Sequence, residues 1–369
     1  MTTFPPLATS AKGGAPTDMS TVRCGDFKTS YAKDMAIFDS AFARWSLSLF
    51  LLALLTVPLY ASSYWLDVVN RIGIAVIGAL GLNILTGFTG QISLGNAAFL
   101  AVGAYTTAYV GAQLPGLPFV IVVLLSGLAA AVVGMVFGVP SLRLKGLYLA
   151  MATLAAHFIV EFVSTHWNDV TGGVAGVSVA PASFFKYSLD TDGKLFYLIF
   201  SLVFFLVSFA KNLFRTKVGK AFVAIRDHDI SAEVMGVNLF KYKLMSFGIS
   251  SFYVGVAGSL LAYQAKYISP ENFPITLAID YLGMIIIGGL GSILGSILGA
   301  IFITVLPELL RLGASSLSDT FPALVGLFAS LKQGVFGLAI VLFLIFEPDG
   351  MAERWRKIKT YWRLYPFSY

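Results

Sequence analysis

Ionisable side chains are rare in the apolar stretches of this 369-residue sequence, so each one found there is a candidate for chemistry. His157 and Glu161 are four residues apart, which places them on one face of a helix. They could line a solute pathway or pair with each other. Arg71 could attract a carboxylate, or it could pair with Asp67, four residues earlier. We favour pairing or an interfacial position in both cases.

Nucleotide and metal chemistry have no matching pattern in the sequence. The phosphate-binding pattern G-x-x-x-x-G-K-[ST] does not occur. The histidines His157, His166 and His228 lie far apart in sequence, and Cys24 is the single cysteine, so we expect neither a metal site nor an intrachain disulfide. We therefore expect a chain with no cofactor of its own and no enzymatic activity. Glu308 and Arg311, three residues apart, are expected to pair.

The composition predicts a membrane protein. Hydrophobic residues make up 57% of the chain and charged residues 12%, and the mean hydropathy is +0.82. Because soluble domains carry about 25% charged residues, this composition excludes a soluble enzyme, a nucleic-acid-binding protein and a disordered chain. The net charge of +6 is then expected in basic loops beside the membrane. We predict an all-α, polytopic membrane fold.

The elements that position these residues are about ten apolar segments, each near the roughly 20 residues that cross a bilayer. They are 45–60, 66–86, 92–112, 119–139, 147–165, 195–213, 244–264, 277–289, 293–310 and 330–346. We expect them to form one transmembrane domain at 45–346. A polar extension at 1–44 precedes it, and a basic tail at 347–369 follows it.

Lysine and arginine concentrate between alternate segments. The richest stretch is the 211–243 loop, whose basic residues are Lys211, Arg215, Lys217, Lys220, Arg226, Lys241 and Lys243. Cytoplasmic loops carry such an excess, so we place this loop and both termini in the cytoplasm. The 1–44 extension is then a flexible or interfacial tail, or a segment that docks onto a partner.

Two glycine-rich stretches interrupt the apolar segments. The first glycine turn (87–95) joins the second and third segments, and the second glycine turn (288–299) joins the eighth and ninth. The glycines expected to break helices are Gly87, Gly90, Gly95, Gly288, Gly291 and Gly295. Taken as five spans apart, the two turns predict an inverted repeat around a midplane pathway. The alternative is close helix packing through small residues.

Polar residues around the first glycine turn are the candidates for the translocation path. They are Thr86, Gln91, Ser93 and Asn96. Their alternative role is hydrogen bonding between helices. A path lined by such neutral groups offers a zwitterion only weak contacts, which suits passive gating by partner motors better than proton coupling.

Within the 211–243 loop, the spacing of apolar residues predicts a helix at 221–236 that stops at Gly236. Its apolar side consists of Ala221, Ala224, Ile225, Ala232 and Met235. This side is available to dock into a groove on a partner. Alternatively, the helix lies on lipid headgroups.

Motifs in a fixed order connect the sequence to one family. Residues 219–238, GKAFVAIRDHDISAEVMGVN, resemble the cytoplasmic motif of the permease subunits of branched-chain amino acid ABC importers. Residues 81–99, GLNILTGFTGQISLGNAAF, are similar to that family's signature, except that Asn96 stands where the family usually has His. Shorter matches follow at 142–148, 171–173, 288–291 and 346–350. The resemblance covers about 45–351 and is closest to the second, methionine-lettered permease of the pair.

The resemblance implies a translocation path shared with a second homologous permease in a bacterial inner (plasma) membrane. It also implies two ATPase subunits, which bind ATP and Mg, and a periplasmic or extracellular binding protein that delivers the solute. The helix at 221–236 is then the coupling helix, and the residues implied in coupling are Gly219, Arg226, Asp227, Glu233 and Gly236. The solute is a branched-chain amino acid or a related small polar solute. The alternatives are an ABC permease for urea, amides or aromatic compounds, and a stand-alone secondary transporter or channel.

Overall fold

The computed structural model describes residues 41–318, apart from 115, 143, 145, 185–186 and 189–190, and then 334, 337–338, 341–343, 345–346 and 349–364. It confirms the all-α prediction. Helices α1 to α13 are, in chain order, Ala41–Tyr60, Ser63–Thr89, Asn96–Gln113, Phe119–Ser141, Leu147–His166, Asn168–Thr171, Asp192–Arg215, Lys217–Asp227, Asp229–Val234, Leu239–Ala265, Ile275–Gly288, Ile293–Ser318 and Gly350–Leu364. Strands β1 to β4 within these residues are Val177–Ser178, Ser183–Phe184, Tyr187–Ser188 and Tyr267–Ile268.

Seven stretches of the described chain are long and apolar enough to cross a membrane: α2, most of α4, α5, α7, α10, α11 with the turn before it, and most of α12. The first and third predicted segments are also helical, as α1 and α3. The tenth, 330–346, lies mostly outside the described residues, as does the 1–44 extension. The chain is a multi-pass membrane protein, and the count of ten spans remains a prediction.

Helix α10 is the centre of the bundle and packs against α2, α3 and α4. Small residues allow this close packing. A Cβ at Gly103 would overlap the carbonyl oxygen of Gly255, and one at Gly258 would overlap that of Leu100. Membrane helices gain little from hydrophobic burial against one another, so close backbone contact of this kind contributes much of their association. The sequence of α10 is thus suited to contact on several sides.

Buried hydroxyl groups add polar contacts at the same place. Thr107 of α3 donates a hydrogen bond to the Ser259 hydroxyl of α10 at 2.7 Å. The Thr107 and Ser126 hydroxyls are 2.8 Å apart, which extends the contact to α4. Hydrogen bonds of this kind hold helices together in the membrane, where no water replaces a missing partner.

The second glycine turn packs α11 against α12. A Cβ at Gly299 would overlap the carbonyl oxygen of Met284, and one at Gly295 would lie 2.8 Å from that of Gly288. The small residues at four-residue spacing therefore allow the two helices to approach closely, as the packing alternative predicted.

The connections between helices divide into two ends of the bundle. At one end, both glycine turns, the α4–α5 connection and α8–α9 lie together. At the other end, β1 pairs antiparallel with β4, with Val177 opposite Ile268, and β2 forms a hairpin with β3. We call them the glycine-turn end and the strand end. The division of the connections between these two ends matches the alternation, along the sequence, of connections rich in lysine and arginine with connections poor in them.

The two glycine turns are not an inverted pair. Gly291 lies so close to Gly87 that a Cβ on Gly87 would overlap the Gly291 backbone nitrogen. Inverted copies would lie at opposite ends of the bundle. Six predicted spans, the third to the eighth, lie between the two turns. Because six is an even number, both turns lie at the same end of the bundle. The inverted-repeat interpretation of these turns is therefore wrong.

Candidate functional site

The candidate site lies at the glycine-turn end, where α7 leads into α8 and α9. Residue 216 ends α7, and α8 folds back against that end. A Cβ at Gly219 would overlap the Cα atom of Phe214. Only glycine permits this contact, so the tight corner fixes the direction in which α8 leaves the bundle.

The predicted helix at 221–236 is two helices, and the prediction of a single one is wrong. His228 is extended, with φ −161° and ψ 99°, and separates α8 from α9. Asp229 then begins α9, where its charge favours the helix N-terminus, and it forms an ion pair with Lys243 of α10 at 3.7 Å. This ion pair ties the start of α9 to the central helix. Gly236 follows α9 with φ +88°, a conformation that favours glycine.

The apolar side predicted to dock onto a partner mostly faces the chain itself. Ala221, Ile225 and Ala232 are buried, together with Phe222. The exposed apolar residues are Ile230, Val234 and Met235, which are 61%, 83% and 84% exposed. Helical spacing places Ile230, Glu233 and Val234 on one side of α9. We call Ile230, Glu233, Val234 and Met235 the α9 surface.

Arg226, the single arginine of α8, contacts the body of the bundle. Its Nη1 donates a hydrogen bond to the carbonyl oxygen of Gly87 at 3.2 Å. Its Nε donates to Asp227 Oδ1 at 3.0 Å, and Nη2 of Arg226 lies 2.9 Å from the same oxygen. Cβ atoms built on Gly90 and Gly291 would lie 3.3 and 2.6 Å from Arg226 atoms. The arginine therefore contacts both glycine turns.

Asn83 joins the two glycine turns. Its Nδ2 donates to the Ser292 carbonyl oxygen at 2.8 Å and to the Ser296 hydroxyl at 2.7 Å. Its Oδ1 accepts a hydrogen bond from the Gly291 backbone N–H at 2.9 Å. Asn83 was not among the site residues predicted from the sequence. A signal was available, because Asn83 is an amide within an apolar segment, one helical turn before Gly87.

A cleft of about 300 Å³ lies between these elements. The first glycine turn, the α4–α5 connection and the α8–α9 junction form its walls. Its polar lining residues are Thr89, Gln91, Arg226, Asp227, Asp229 and Lys243, with His228 beside them. The cleft thus separates α8–α9 from the connection that begins α5, and leaves space for relative movement.

The four residues predicted to line the translocation path are all buried. Gln91 borders the cleft, and its Nε2 donates to the Ser246 hydroxyl of α10 at 2.8 Å. The Thr86 hydroxyl donates to the Gln91 carbonyl oxygen at 3.1 Å, and Ser93 accepts from the Gly95 N–H at 3.3 Å. Asn96 begins α3, and its Nδ2 has no hydrogen-bond partner among the described residues. The structure brings these residues together around one turn.

The helix-break glycines occupy different places in the two turns. Gly90 ends α2 in the left-handed conformation, with φ +74°. Gly87 lies inside α2, and Gly95 directly precedes α3. In the second turn, Gly291 has φ +73°, whereas Gly288 ends α11 and Gly295 lies within α12. The helices therefore break at Gly90 and between residues 289 and 292.

His157 and Tyr105 form a separate buried polar group towards the strand end. They line a small cavity with Glu161 and Phe273. His157 Nε2 lies 3.8 Å from Glu161 Oε2, the pairing that the sequence suggested. Neither ring nitrogen of His157 has a hydrogen-bond partner among the described residues, and the same holds for the Tyr105 hydroxyl. Tyr105 was missed in the sequence, because aromatic residues are common in this chain.

Two further ion pairs form as the sequence predicted. Arg71 Nε donates to Asp67 Oδ2 at 2.9 Å, and Asp67 also accepts from Gln264 of α10. Arg311 Nε donates to Glu308 Oε2 at 3.1 Å. Both ion pairs lie within single helices. They neutralise charge that would otherwise be costly in the membrane.

Residues 64–344 match the family described as branched-chain amino acid transport system / permease component. This match spans most of the chain and includes both glycine turns, α8 and α9. The chain belongs to this permease family. It is therefore a transport permease, which agrees with the resemblance carried by the two long motifs.

Permeases of three organisms are similar to this chain. The high-affinity branched-chain amino acid transport system permease protein LivM of Escherichia coli strain K12 is 32% identical, over 82% of this chain and 74% of its own. The LivM protein of Salmonella typhimurium is 31% identical over the same shares. A probable LivM of Methanocaldococcus jannaschii is 24% identical over 76% of this permease and 90% of its own chain. No solved structure matches this permease.

Proposed function

We propose that this chain is the LivM-type permease subunit of an ATP-binding-cassette importer for branched-chain amino acids or related small polar solutes. The observation that carries the proposal is the contact of Arg226 with both glycine turns. It connects an exposed surface, α9, to the two places where the helices of the bundle break. A force applied at α9 by a partner would therefore reach the membrane-spanning helices directly.

The proposed partners are two ATPase subunits, a second homologous permease, and a binding protein on the opposite side of the membrane. ATP and Mg are bound by the ATPase subunits. The α9 surface suits a helix-in-groove contact, because it presents three apolar side chains around Glu233. ATP-driven closure of the ATPases moves α9, and Arg226 passes the movement to the glycine turns.

The proposed orientation places the glycine-turn end in the cytoplasm of a bacterial inner (plasma) membrane, with both termini on that side. Support comes from the charge distribution. The 211–243 loop alone contains seven lysine and arginine residues, and the tail from 350 to 364 contains five more. Basic residues near the ends of spans remain on the cytoplasmic side.

The proposed translocation path passes the first glycine turn. Gln91 borders the cleft, and the amide nitrogen of Asn96 has no hydrogen-bond partner in the part of the chain that the structure describes, so both can bind a polar solute when the helices separate. Thr86 and Ser93 support the same turn through hydrogen bonds. Neutral groups of this kind bind a zwitterion weakly, which allows release into the cell.

Charge reversal at α9 tests the proposal. In the complete complex reconstituted in liposomes, Glu233→Lys should lower ATP-driven uptake of leucine by about tenfold or more, since unfavourable charge contacts cost several kcal/mol. The permease should still insert, and ATP hydrolysis should continue. Gly236→Pro should act likewise, because proline cannot adopt the φ of +88° found there. Lys217→Glu, an exposed charge reversal at the start of α8, is the control. Wild-type uptake by Glu233→Lys would refute the coupling role.

A further inference from the structure

Helix α13, Gly350–Leu364, carries an apolar stripe and a positive charge on one short element. Met351, Trp355, Ile358 and Trp362 are four, three and four residues apart, which aligns them on one face. Trp355 is 55% exposed and Trp362 is 78% exposed. Tryptophan prefers the boundary between lipid and water. The helix is therefore built like one that lies in the membrane interface.

The stripe continues into a groove of about 640 Å³. Its apolar walls are Leu298 of α12, Leu342, Phe343 and Phe346 near the end of the last predicted span, and Trp355 and Ile358 of α13. Because one wall ends a membrane-spanning segment and the other is an interfacial helix, the groove opens at the depth where a lipid chain meets its headgroup.

Cations border the apolar stripe that continues into this groove. Helical spacing places Arg354 on one edge of the apolar stripe and Lys359 on the other. Arg354 also lines the groove. On the far side, Arg356 pairs with Glu353 at 2.7 Å and Lys357 with Asp349 at 3.4 Å. The groove thus combines an apolar interior with a positively charged rim.

We propose that this groove binds an anionic phospholipid of the cytoplasmic leaflet. One acyl chain lies between α12 and α13, and the phosphate is held by Arg354 and Lys359. Charge complementarity selects this occupant, because a basic rim attracts anionic lipids and the apolar walls match a hydrocarbon chain. The choice of the cytoplasmic leaflet rests on the orientation given in the proposed function, whereas the groove and its basic residues do not depend on that orientation.

The bound lipid also steadies the second glycine turn. A Cβ on Gly350 would overlap the Cα of Gly289, so the first residue of α13 packs directly on that turn. Gly291, two residues further on, lies against Arg226. A lipid that holds α13 in place therefore supports the position of the turn that Arg226 contacts.

Lipid binding to the complete complex in detergent tests the proposal. Native mass spectrometry should show phosphatidylglycerol retained in preference to phosphatidylcholine. Lys359→Glu should weaken phosphatidylglycerol binding by about thirtyfold, since each basic residue near the headgroups contributes about 1 kcal/mol, the reversal counts twice, and about 1.4 kcal/mol corresponds to tenfold. Trp355→Ala should weaken both lipids by removing apolar contact. Lys357→Glu, on the far side of the same helix, is the matched control and should change binding several times less.

Three results would overturn the proposal. They are equal retention of the two lipids, equal phosphatidylglycerol binding by Lys359→Glu and the wild type, and loss of ATPase subunits from the Lys359→Glu complex with lipid binding unchanged. The last would identify α13 as a protein contact. Failure of the proposed function would be distinct, because it would show as absent ATP-driven uptake by the wild-type complex.

Discussion

Arg226 is the residue on which the proposed coupling depends most. Its guanidinium donates to the Gly87 carbonyl oxygen and to Asp227, and its chain lies against Gly90 and Gly291. A guanidinium can hold several acceptors in a fixed plane, whereas an ammonium group concentrates its charge at one point. Arg226 therefore acts as a rigid link between α8 and the glycine turns.

Replacing Arg226 should separate movement of α9 from movement of the turns. Arg226→Ala removes a hydrogen bond from a charged donor, worth about 1.5–3 kcal/mol, and should lower ATP-driven uptake by about tenfold or more. Arg226→Lys should retain part of the uptake, because it keeps the charge but loses the planar donors.

The measurement is uptake per ATP hydrolysed in liposomes that contain the complete complex. Lys217→Ala, an exposed basic residue at the start of the same helix, is the control and should behave as the wild type. If Arg226→Ala couples as well as Lys217→Ala, then Arg226 does not transmit the movement.

Individual residues of the site differ in how visible they were in the sequence. Arg226 was selected because it lies in a motif that resembles the family. The Arg71–Asp67 pair was predicted because the two opposite charges are four residues apart. Asn83 was not selected, because its importance arises from contacts with residues far away in sequence. Asn83 bonds to Ser296, 213 positions later. Spacing along one helix cannot reveal a contact of that kind.

At the scale of elements, the close contacts of α10 hold the bundle together. Helix α3 meets α10 where Gly103 lies against the Gly255 backbone and Gly258 lies against Leu100. Each contact leaves no room for a side chain. Because packing density is already that of a protein interior, an added methyl group must force the helices apart.

Gly103→Ala should therefore lower stability by about 1–3 kcal/mol, the usual cost of overpacking. Its matched control is Gly111→Ala on the same helix, where the added Cβ would meet only the Cβ of Ala180, at an ordinary 3.7 Å. Thermal unfolding of the purified permease in detergent should show a lower midpoint for Gly103→Ala than for Gly111→Ala. Equal midpoints would show that the α3–α10 contact is not tight.

The lengths of the apolar segments predicted the helices well, but they did not predict how the 211–243 loop folds. The second segment was predicted at 66–86, and α2 runs over Ser63–Thr89. By contrast, the helix predicted at 221–236 divides at His228. Ala221, Ile225 and Ala232 of its apolar side are buried. Small apolar residues at helical spacing indicate a packed face. Whether the packing partner is the same chain or another one depends on tertiary structure, which periodicity does not contain.

At the scale of the whole molecule, the two ends of the bundle have different characters. The glycine-turn end contains the breaks in the helices, the cleft and the basic connections, whereas the strand end contains short antiparallel strand pairs. The positions of lysine and arginine in the sequence predicted this division, because these residues concentrate between alternate apolar segments. The meeting of the two glycine turns was not predicted, since the spans between them were miscounted as five.

The proposed function requires this permease to transport only as part of an ATP-driven complex. Leucine uptake can be measured in liposomes that contain this chain, the second permease and both ATPases, with the binding protein added outside and ATP inside. We expect uptake with the full set, and none when the ATPases, the binding protein or ATP is left out. Ion-driven leucine accumulation by this chain alone would refute the proposed function.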